Sequence, residues 1–289
     1  MFEGTTVAII TPFDDKGRVD FGALRSLARL HKDSGTDAIL LSGCTGESFT
    51  LDNAERIEML NTVREETGFS YPILLGTGAP STKAAVEMTL AAKTAGADGV
   101  LAITPYGNKP SQHAMVSYFR EIADVGLPTI LYNVPGRTGS NIAPSTTIAL
   151  SEHKNIVAIK EASGSLDTVS EIISGCGITL LSGDDSLTVP MISIGAKGVI
   201  STAANLVPAD FAEMVNFALD GDFSSAAKLH IRMFPLMKAL FIEGNPVPLK
   251  TAMSLCGMIP APSFRQPLCA MTSANLGKLE IALKEYGLL

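Results

Sequence analysis

Eight short apolar runs recur along the chain at intervals of about 20 to 35 residues, the spacing of one strand, one helix and two loops. They are Val7–Ile10, Ala38–Leu41, Ile73–Leu75, Val100–Ile103, Thr129–Tyr132, Ile156–Ile159, Thr179–Leu181 and Gly198–Ile200. Continuous rather than alternating hydrophobicity marks strands covered on both faces, as in a parallel sheet. Helical stretches lie between them. In Ser81–Ala95, the residues Ala84, Ala85, Met88, Ala91, Ala92 and Ala95 form one small apolar face, with Gly96 as the stop. One joint repeats: Gly35-Thr-Asp-Ala38, Gly96-Ala-Asp-Gly99 and Gly195-Ala-Lys-Gly198 each lead from a helix stop into a strand. A glycine takes the left-handed conformation there without a Cβ clash. The repetition points to the α/β class and a (β/α)8 TIM barrel, although doubly wound sheets use similar joints. Beyond the eighth strand, helices are expected at Ala209–Leu219, Phe223–Leu240, Pro248–Cys256 and Ser273–Tyr286. The division expected is a catalytic barrel over residues 1–220 and a C-terminal helical segment over residues 221–289 packed on it.

A chain of 289 residues is long enough for one such barrel, and 46% apolar against 18% charged residues describes a folded enzyme rather than a disordered chain. The net charge of −7, with no Lys/Arg cluster, argues against nucleic acid as a partner. Cys44, Cys176, Cys256 and Cys269 show neither CxxC spacing nor a compact secreted framework, so reduced thiols in the cytosol are expected. The start has no basic stretch followed by an apolar one, and no apolar run approaches a membrane span. A soluble, cytoplasmic protein is the expectation, with no membrane partner. His31, His113, His153 and His230 are scattered without metal-ligand spacing, and there is no HExxH, P-loop or GxGxxG. No metal and no nucleotide cofactor is therefore expected.

The residue that most constrains the chemistry is Lys160, which closes the run Asn155-Ile-Val-Ala-Ile-Lys160 before Glu-Ala-Ser-Gly164. A lone lysine is usually a solvated surface charge. At the carboxyl end of a buried parallel strand it stands where α/β folds place their chemistry. An amine held there loses hydration, its pKa falls, and the nucleophilic form needed for a Schiff base becomes accessible. Other strand ends add polar groups. Ser42-Gly-Cys-Thr-Gly-Glu-Ser48 is a small-residue turn whose N–H groups and Thr45 hydroxyl can wrap a carboxylate; seen alone, it is equally an ordinary βα turn. Tyr132 ends the fifth run and by itself reads equally as core or as a proton carrier. Arg137 follows in a Pro/Gly loop, where its fork can clamp a carboxylate. Ser182-Gly-Asp-Asp185 and Ser201-Thr-Ala-Ala-Asn205 close the rim. Cys44 has no histidine nearby in sequence and reads as a small buried thiol. An amine, a phenol, a guanidinium and anion cradles on one rim are equipment for making a carbanion from a 2-oxo acid through an imine.

These motifs, in this order, resemble the dihydrodipicolinate synthase / N-acetylneuraminate lyase family nearly end to end. Val7-Ala-Ile-Ile-Thr-Pro-Phe13 resembles its first strand, Gly43-Cys-Thr-Gly-Glu-Ser48 its pyruvate loop, and Tyr132-Asn-Val-Pro-Gly-Arg-Thr-Gly139 its tyrosine motif. Ile159-Lys-Glu-Ala-Ser163 matches its Schiff-base strand, Ser182-Gly-Asp-Asp185 and Gly198-Val-Ile-Ser201 its later rim, and Glu243-Gly-Asn-Pro-Val-Pro248 its C-terminal helices. The resemblance implies an imine between Lys160 and pyruvate, with Tyr132 as proton donor and acceptor. It implies that Thr45 holds the pyruvate carboxylate and that carbonyls near Gly183 and Ile200 line the pocket. Arg137 would recognise aspartate semialdehyde, and its presence points to the synthase branch, which serves lysine and diaminopimelate biosynthesis. A homotetramer built from tight dimers is also implied.

The sequence departs from the family's pattern in its proton relay. Cys44 stands where a threonine is usual, and Gly107 where a neighbouring subunit usually lends a tyrosine, with Tyr106 retained beside it. A thiol bonds hydrogen weakly and glycine has no side chain, so pyruvate binding is expected to survive better than full turnover. A related 2-oxo-acid aldolase or lyase with another second substrate, and a non-catalytic pyruvate-binding paralogue, stay open on these residues. The family's lysine-effector cleft is altered too: Phe49, Asn53, Arg56, Pro80 and Ala84 replace the residues that hold the effector, so lysine inhibition is expected to be absent.

Overall fold

In the computed structural model, which describes residues 2–289, the eight expected strands form one closed parallel barrel. They are β1 (Gly4–Ala8), β2 (Ala38–Leu41), β3 (Ile73–Gly76), β4 (Gly99–Ile103), β5 (Thr129–Asn133), β6 (Ile156–Glu161), β7 (Thr179–Ser182) and β8 (Gly198–Ser201). Each pairs with the next, and β8 returns to β1 through Gly198 opposite Gly4 and Ile200 opposite Thr6. The repeated glycine joints do what the sequence asked of them, with φ of 80° at Gly35, 83° at Gly96 and 116° at Gly195.

Strand alternation divides the apolar residues into two cores. Ala8, Leu40, Leu74, Leu101, Ile130, Tyr132, Ala158, Leu181 and Ile200 pack together inside the barrel. Their strand neighbours Val7, Ile39, Leu75, Val100, Leu131, Ile159, Leu180 and Val199 face outward into a larger core that includes Leu24 and Leu27, Met59, Met88 and Phe119 from the surrounding helices. Each such side chain, fully buried, contributes about 1.5–3 kcal/mol. Lys160 lies two residues beyond Ala158 on β6 and so shares the inward face, at the carboxyl end.

Three local expectations are corrected. β1 lies earlier than the apolar run Val7–Ile10, because buried Thr5 and Thr6 pair in the ladder. Ile9 and Ile10 are fully buried beyond the strand, where the Ile10 N–H donates to Asn205 Oδ1 at 3.0 Å. β6 runs on through Lys160 and Glu161, so the lysine is the penultimate strand residue. In the helix Thr82–Thr94, capped by Ser81, Ala84 is exposed and Thr89 is buried instead. The Thr89 hydroxyl is satisfied there by Thr77 Oγ1 and Ala85 O, at 2.9 and 2.8 Å.

The last helices are Pro208–Leu219, Phe223–Ala239, Val247–Leu255 and Ser273–Tyr286. Among the described residues, no helix is long and apolar enough to cross a membrane.

Candidate active site

Register brings the two central residues together. Tyr132 on β5 is the direct partner of Lys160 on β6, both side chains face inward, and Lys160 Nζ lies 4.5 Å from the centre of the Tyr132 ring. Both are buried, at 5% and 6% exposure. Burial holds the Lys160 amine down at about 8. Burial, and then the neighbouring Cys44, push the Tyr132 phenol well up, and burial also raises the Cys44 thiol. Cys44 packs against the cluster that contains Tyr132 and lines the same pocket, so the thiol adjoins the tyrosine over which the amine lies.

Lys160 needs open space above it, and Gly183 supplies it. A Cβ at Gly183 would stand 2.6 Å from Ala162 Cβ, closer than real contacts permit, and a tight 3.0 Å from Lys160 Cε. Around this opening lies a pocket walled by Cys44, Thr45, Tyr132, Arg137, Lys160, Gly183, Asp184, Thr202 and Asn245, among others, with about 60 Å³ open to water. A wider cavity of about 550 Å³ lies outside it, walled by Phe49, Ile103, Tyr106, Gly136, Arg137 and Thr138. Arg137 belongs to both walls, so the residue read as a carboxylate clamp stands where the inner pocket meets the mouth.

The small-residue turn after β2 is held from several sides. Thr11 Oγ1 donates to Gly46 O at 2.6 Å. Asn245 Nδ2 donates to Thr45 Oγ1 at 3.0 Å, and Thr202 Oγ1 lies 3.2 Å from the same oxygen. Because the Thr45 hydroxyl accepts from Asn245, its own proton is free for Thr202 or for an anion in the pocket. Asp185 braces the turn after β8, accepting from Ser201 Oγ, Thr202 N and Ala203 N at 2.7, 3.2 and 2.8 Å.

The C-terminal segment grips the outer side of the β2 turn. Lys250, fully buried on the helix Val247–Leu255, forms an ion pair with buried Glu47, whose backbone is left-handed at φ 53°. The same amine donates to Ser263 O at 2.7 Å and lies 4.3 Å from the Phe13 ring centre. Arg265 donates its backbone N–H to Glu47 at 3.2 Å and its guanidinium to Glu55, Thr50 O and Gly17 O. The turn that carries Cys44 and Thr45 is thus anchored at the residue two positions beyond Thr45.

Not every residue singled out in the sequence lies on the inner wall. Ile200 is fully buried in the barrel's interior core, and Thr202, two residues further on, reaches the pocket. Tyr106 lines the outer mouth, where its ring meets Phe49 edge-on with centroids 5.0 Å apart. Gly107 has φ 86°, with nothing within 4 Å of where a Cβ would stand. Thr202, Asp184 and Asn245 were not singled out as site residues, and neither was the Glu47–Lys250 pair. Lys250 had a signal: it is the one charge in Val247-Pro-Leu-Lys-Thr-Ala-Met253, and an isolated charge on an apolar helix calls for a buried partner. Among the described residues, no group of three or more His, Cys, Asp or Glu is placed to hold a metal ion.

Comparison with known proteins agrees along the whole chain. The family model described as the dihydrodipicolinate synthetase family matches residues 1–286. A 4-hydroxy-tetrahydrodipicolinate synthase from Geobacter metallireducens is 49% identical, with all of both chains covered. The crystal structure of dihydrodipicolinate synthase from Aquifex aeolicus is 44% identical with a TM-score of 0.96, covering 99% of each chain. The chloride-inhibited dihydrodipicolinate synthase from Acinetobacter baumannii, complexed with pyruvate, is 37% identical with a TM-score of 0.97 over 100% of each chain. Since both the model and the relatives span barrel and C-terminal segment alike, the chain belongs to the dihydrodipicolinate synthetase family.

Proposed function

We infer that this chain is a 4-hydroxy-tetrahydrodipicolinate synthase, a class I lyase that joins pyruvate to aspartate semialdehyde through a Schiff base, in lysine and diaminopimelate biosynthesis. The observation that carries this reading is Lys160: a buried amine near pKa 8, stacked on the Tyr132 ring at the mouth of a barrel whose relatives bear that name. The neutral amine attacks the keto carbon of pyruvate, a C–N bond forms, and the oxygen leaves as water. The imine nitrogen then serves as electron sink while a proton leaves the methyl carbon, so the step calls for no metal, flavin or nucleotide. The resulting enamine carbon attacks the aldehyde, and Tyr132 carries protons to and from the reacting oxygens.

Thr45 and neighbouring backbone N–H groups hold the pyruvate carboxylate, with Gly183 and the residues around Ile200 completing the wall. Arg137, at the junction of pocket and mouth, takes the carboxylate of the incoming aldehyde. Cys44, on the same pocket wall as Tyr132, is the next group in the proton relay, whereas Gly107 contributes no side chain to it. Tyr106 and exposed Phe49 form an aromatic pair that suits burial between subunits, in keeping with a homotetramer of tight dimers. Four free cysteines accord with a cytoplasmic enzyme. Residues 1–220 are the catalytic barrel in this reading, and residues 221–289 the segment that completes its mouth.

Borohydride reduction with pyruvate, followed by mass spectrometry, should place one adduct on Lys160, and a condensation assay should consume aspartate semialdehyde. An adduct on another lysine, or no condensation, would overturn the reading. Arg137→Ala should leave pyruvate trapping intact and lower kcat/KM for the aldehyde by about 10- to 100-fold, the cost of a charge-assisted pair at an exposed residue. Equal loss for both substrates would assign Arg137 to pyruvate.

A further inference from the structure

One rung beyond the inward pair Tyr132 and Lys160, the same ladder carries an outward pair, Asn133 on β5 opposite Glu161 on β6. Both are buried, Asn133 fully and Glu161 at 1% exposure. The Glu161 carboxylate forms no ion pair among the described residues; it accepts from two neutral donors, Ser163 N at 2.7 Å and Asn133 Nδ2 at 2.9 Å. A buried carboxylate is costly, and an apolar side chain would fill the place for less. Its use lies in what it orients.

Asn133 faces two ways. Its Oδ1 accepts the Ile142 N–H at 2.9 Å, while its Nδ2 donates to Glu161 and to Asn141 Oδ1, at 2.9 Å each. A flipped amide would set donor against donor at Ile142, so the N–H groups must face β6. Position 161 therefore has to accept from Asn133 and from Ser163 together. A carboxylate does both; an amide that kept the Ser163 bond would set its own N–H groups against those of Asn133. The stretch from Asn133 to Ile142 is the loop that carries Arg137, so one side chain holds its two ends together. Thr104, just after β4, supports the middle by donating to Thr138 Oγ1 at 2.9 Å. The Arg137 side chain is exposed and makes no hydrogen bond or ion pair among the described residues. The course of the loop alone sets where the guanidinium stands. The Glu161 carbonyl meanwhile accepts from Gly183 N at 2.7 Å. One residue thus joins the end of the Lys160 strand to the Arg137 loop and to the Gly183 turn.

We propose, resting on the condensation reading above, that Glu161 acting through Asn133 is the positioning residue for Arg137. The pair sets the guanidinium that takes the aldehyde's carboxylate at a fixed place relative to the Lys160 imine. Because Glu161 faces away from the pocket, its loss moves the clamp and leaves the amine, which projects from the opposite face of β6, free to react.

Glu161→Gln keeps the size and removes one acceptor. With pyruvate saturating, it should raise KM for aspartate semialdehyde and lower kcat/KM by about 5- to 30-fold. Borohydride trapping of pyruvate on Lys160 should stay within about 2-fold of wild type. In an Arg137→Ala background the same change should cost less than about 2-fold more, because Glu161 acts through Arg137. Exchanging the two groups, Glu161→Gln with Asn133→Asp, lets the new carboxylate accept from Ile142 and from the new amide, once the exposed Asn141 amide turns its N–H groups toward it. That double variant should return kcat/KM to within about 3-fold of wild type. Equal loss of trapping and condensation in Glu161→Gln, no loss of either, or full additivity with Arg137→Ala would overturn the assignment. If Glu161→Gln does not fold, the exchange decides alone, and a kcat/KM more than about 3-fold below wild type overturns it. A wild-type protein that traps pyruvate yet does not condense aspartate semialdehyde would instead bring down the condensation reading, and the clamp with it.

Discussion

Two lysines in this barrel lie in environments that depress their pKa to about the same value, and only one of them is placed for chemistry. Lys160 and Lys250 are both buried, both lie over an aromatic ring within 4.5 Å, and burial lowers both to about 8. Lys250 donates to Glu47 and to Ser263 O and touches no solvent. Lys160 has neither partner, opens onto a pocket, and has Gly183 holding room beside its Cε. A depressed pKa therefore marks desolvation and nothing more. Reactivity requires in addition that the amine's donors be free and that a reactant reach it. Lys250 spends the same burial on architecture, fixing the turn that carries Cys44 and Thr45.

The sharpest break between the two is removal of Lys160. Lys160→Ala should abolish the borohydride-trapped pyruvate adduct altogether, because Lys250 cannot substitute; an adduct appearing on Lys250 would collapse the distinction. In the wild type, the rate of imine formation should rise as pH passes about 8 and level off above it, since the neutral amine is the nucleophile.

Lys250→Met should act on stability rather than on the chemical step. It leaves the Glu47 carboxylate buried without its cation, a loss of about 3–5 kcal/mol. The expected drop in Tm is about 10 °C, with Glu47→Gln/Lys250→Met recovering most of it. Pyruvate should still be trapped on Lys160 at low temperature. If Tm is unchanged while trapping fails, Lys250 belongs to the reaction and the contrast is wrong.

Smaller effects probe the surroundings of each amine. Cys44→Thr places a hydroxyl against Tyr132 in place of a weakly bonding thiol, and should raise turnover about 3- to 10-fold with the same trapping yield. A fall in turnover would show that the thiol is suited to this pocket. On the far side of the anchored turn, the Arg56 guanidinium donates to Ser48 O and Gly76 O at 2.5 and 3.2 Å. That fixed positive charge, with Pro80 and Ala84 offering no anion, should leave free lysine without saturable binding in a calorimetric titration. Saturation with inhibition would refute it.

How much of this was legible in the sequence depends on the range of the interaction. Strand runs, helix stops and the glycine joints are local, and they carried the barrel into view along with Lys160 at the end of its run. Parallel register then made Tyr132 its neighbour, because β5 and β6 are consecutive strands in the closed sheet. The start of β1 was not legible, since Ile9 and Ile10 are as apolar as a strand but bury themselves beyond the ladder, and Thr5 and Thr6 are polar yet pair within it.

What the chain determined by itself was the repeat, the place of Lys160 at the end of its strand and the order of the rim motifs, each written in adjacent residues. Tertiary structure alone decided which charges are free and which are engaged. Asp184 and Asp185 are the same residue type, side by side, and only the turn after β8 separates an open carboxylate from an occupied one. Glu47 and Lys250 are 203 residues apart, and Asn245 meets Thr45 across 200, so nothing local announces either pair. The physical reason is that desolvation and hydrogen bonding depend on what surrounds a group in space. A sequence specifies those surroundings only once the barrel has closed and the C-terminal helices have packed across its mouth.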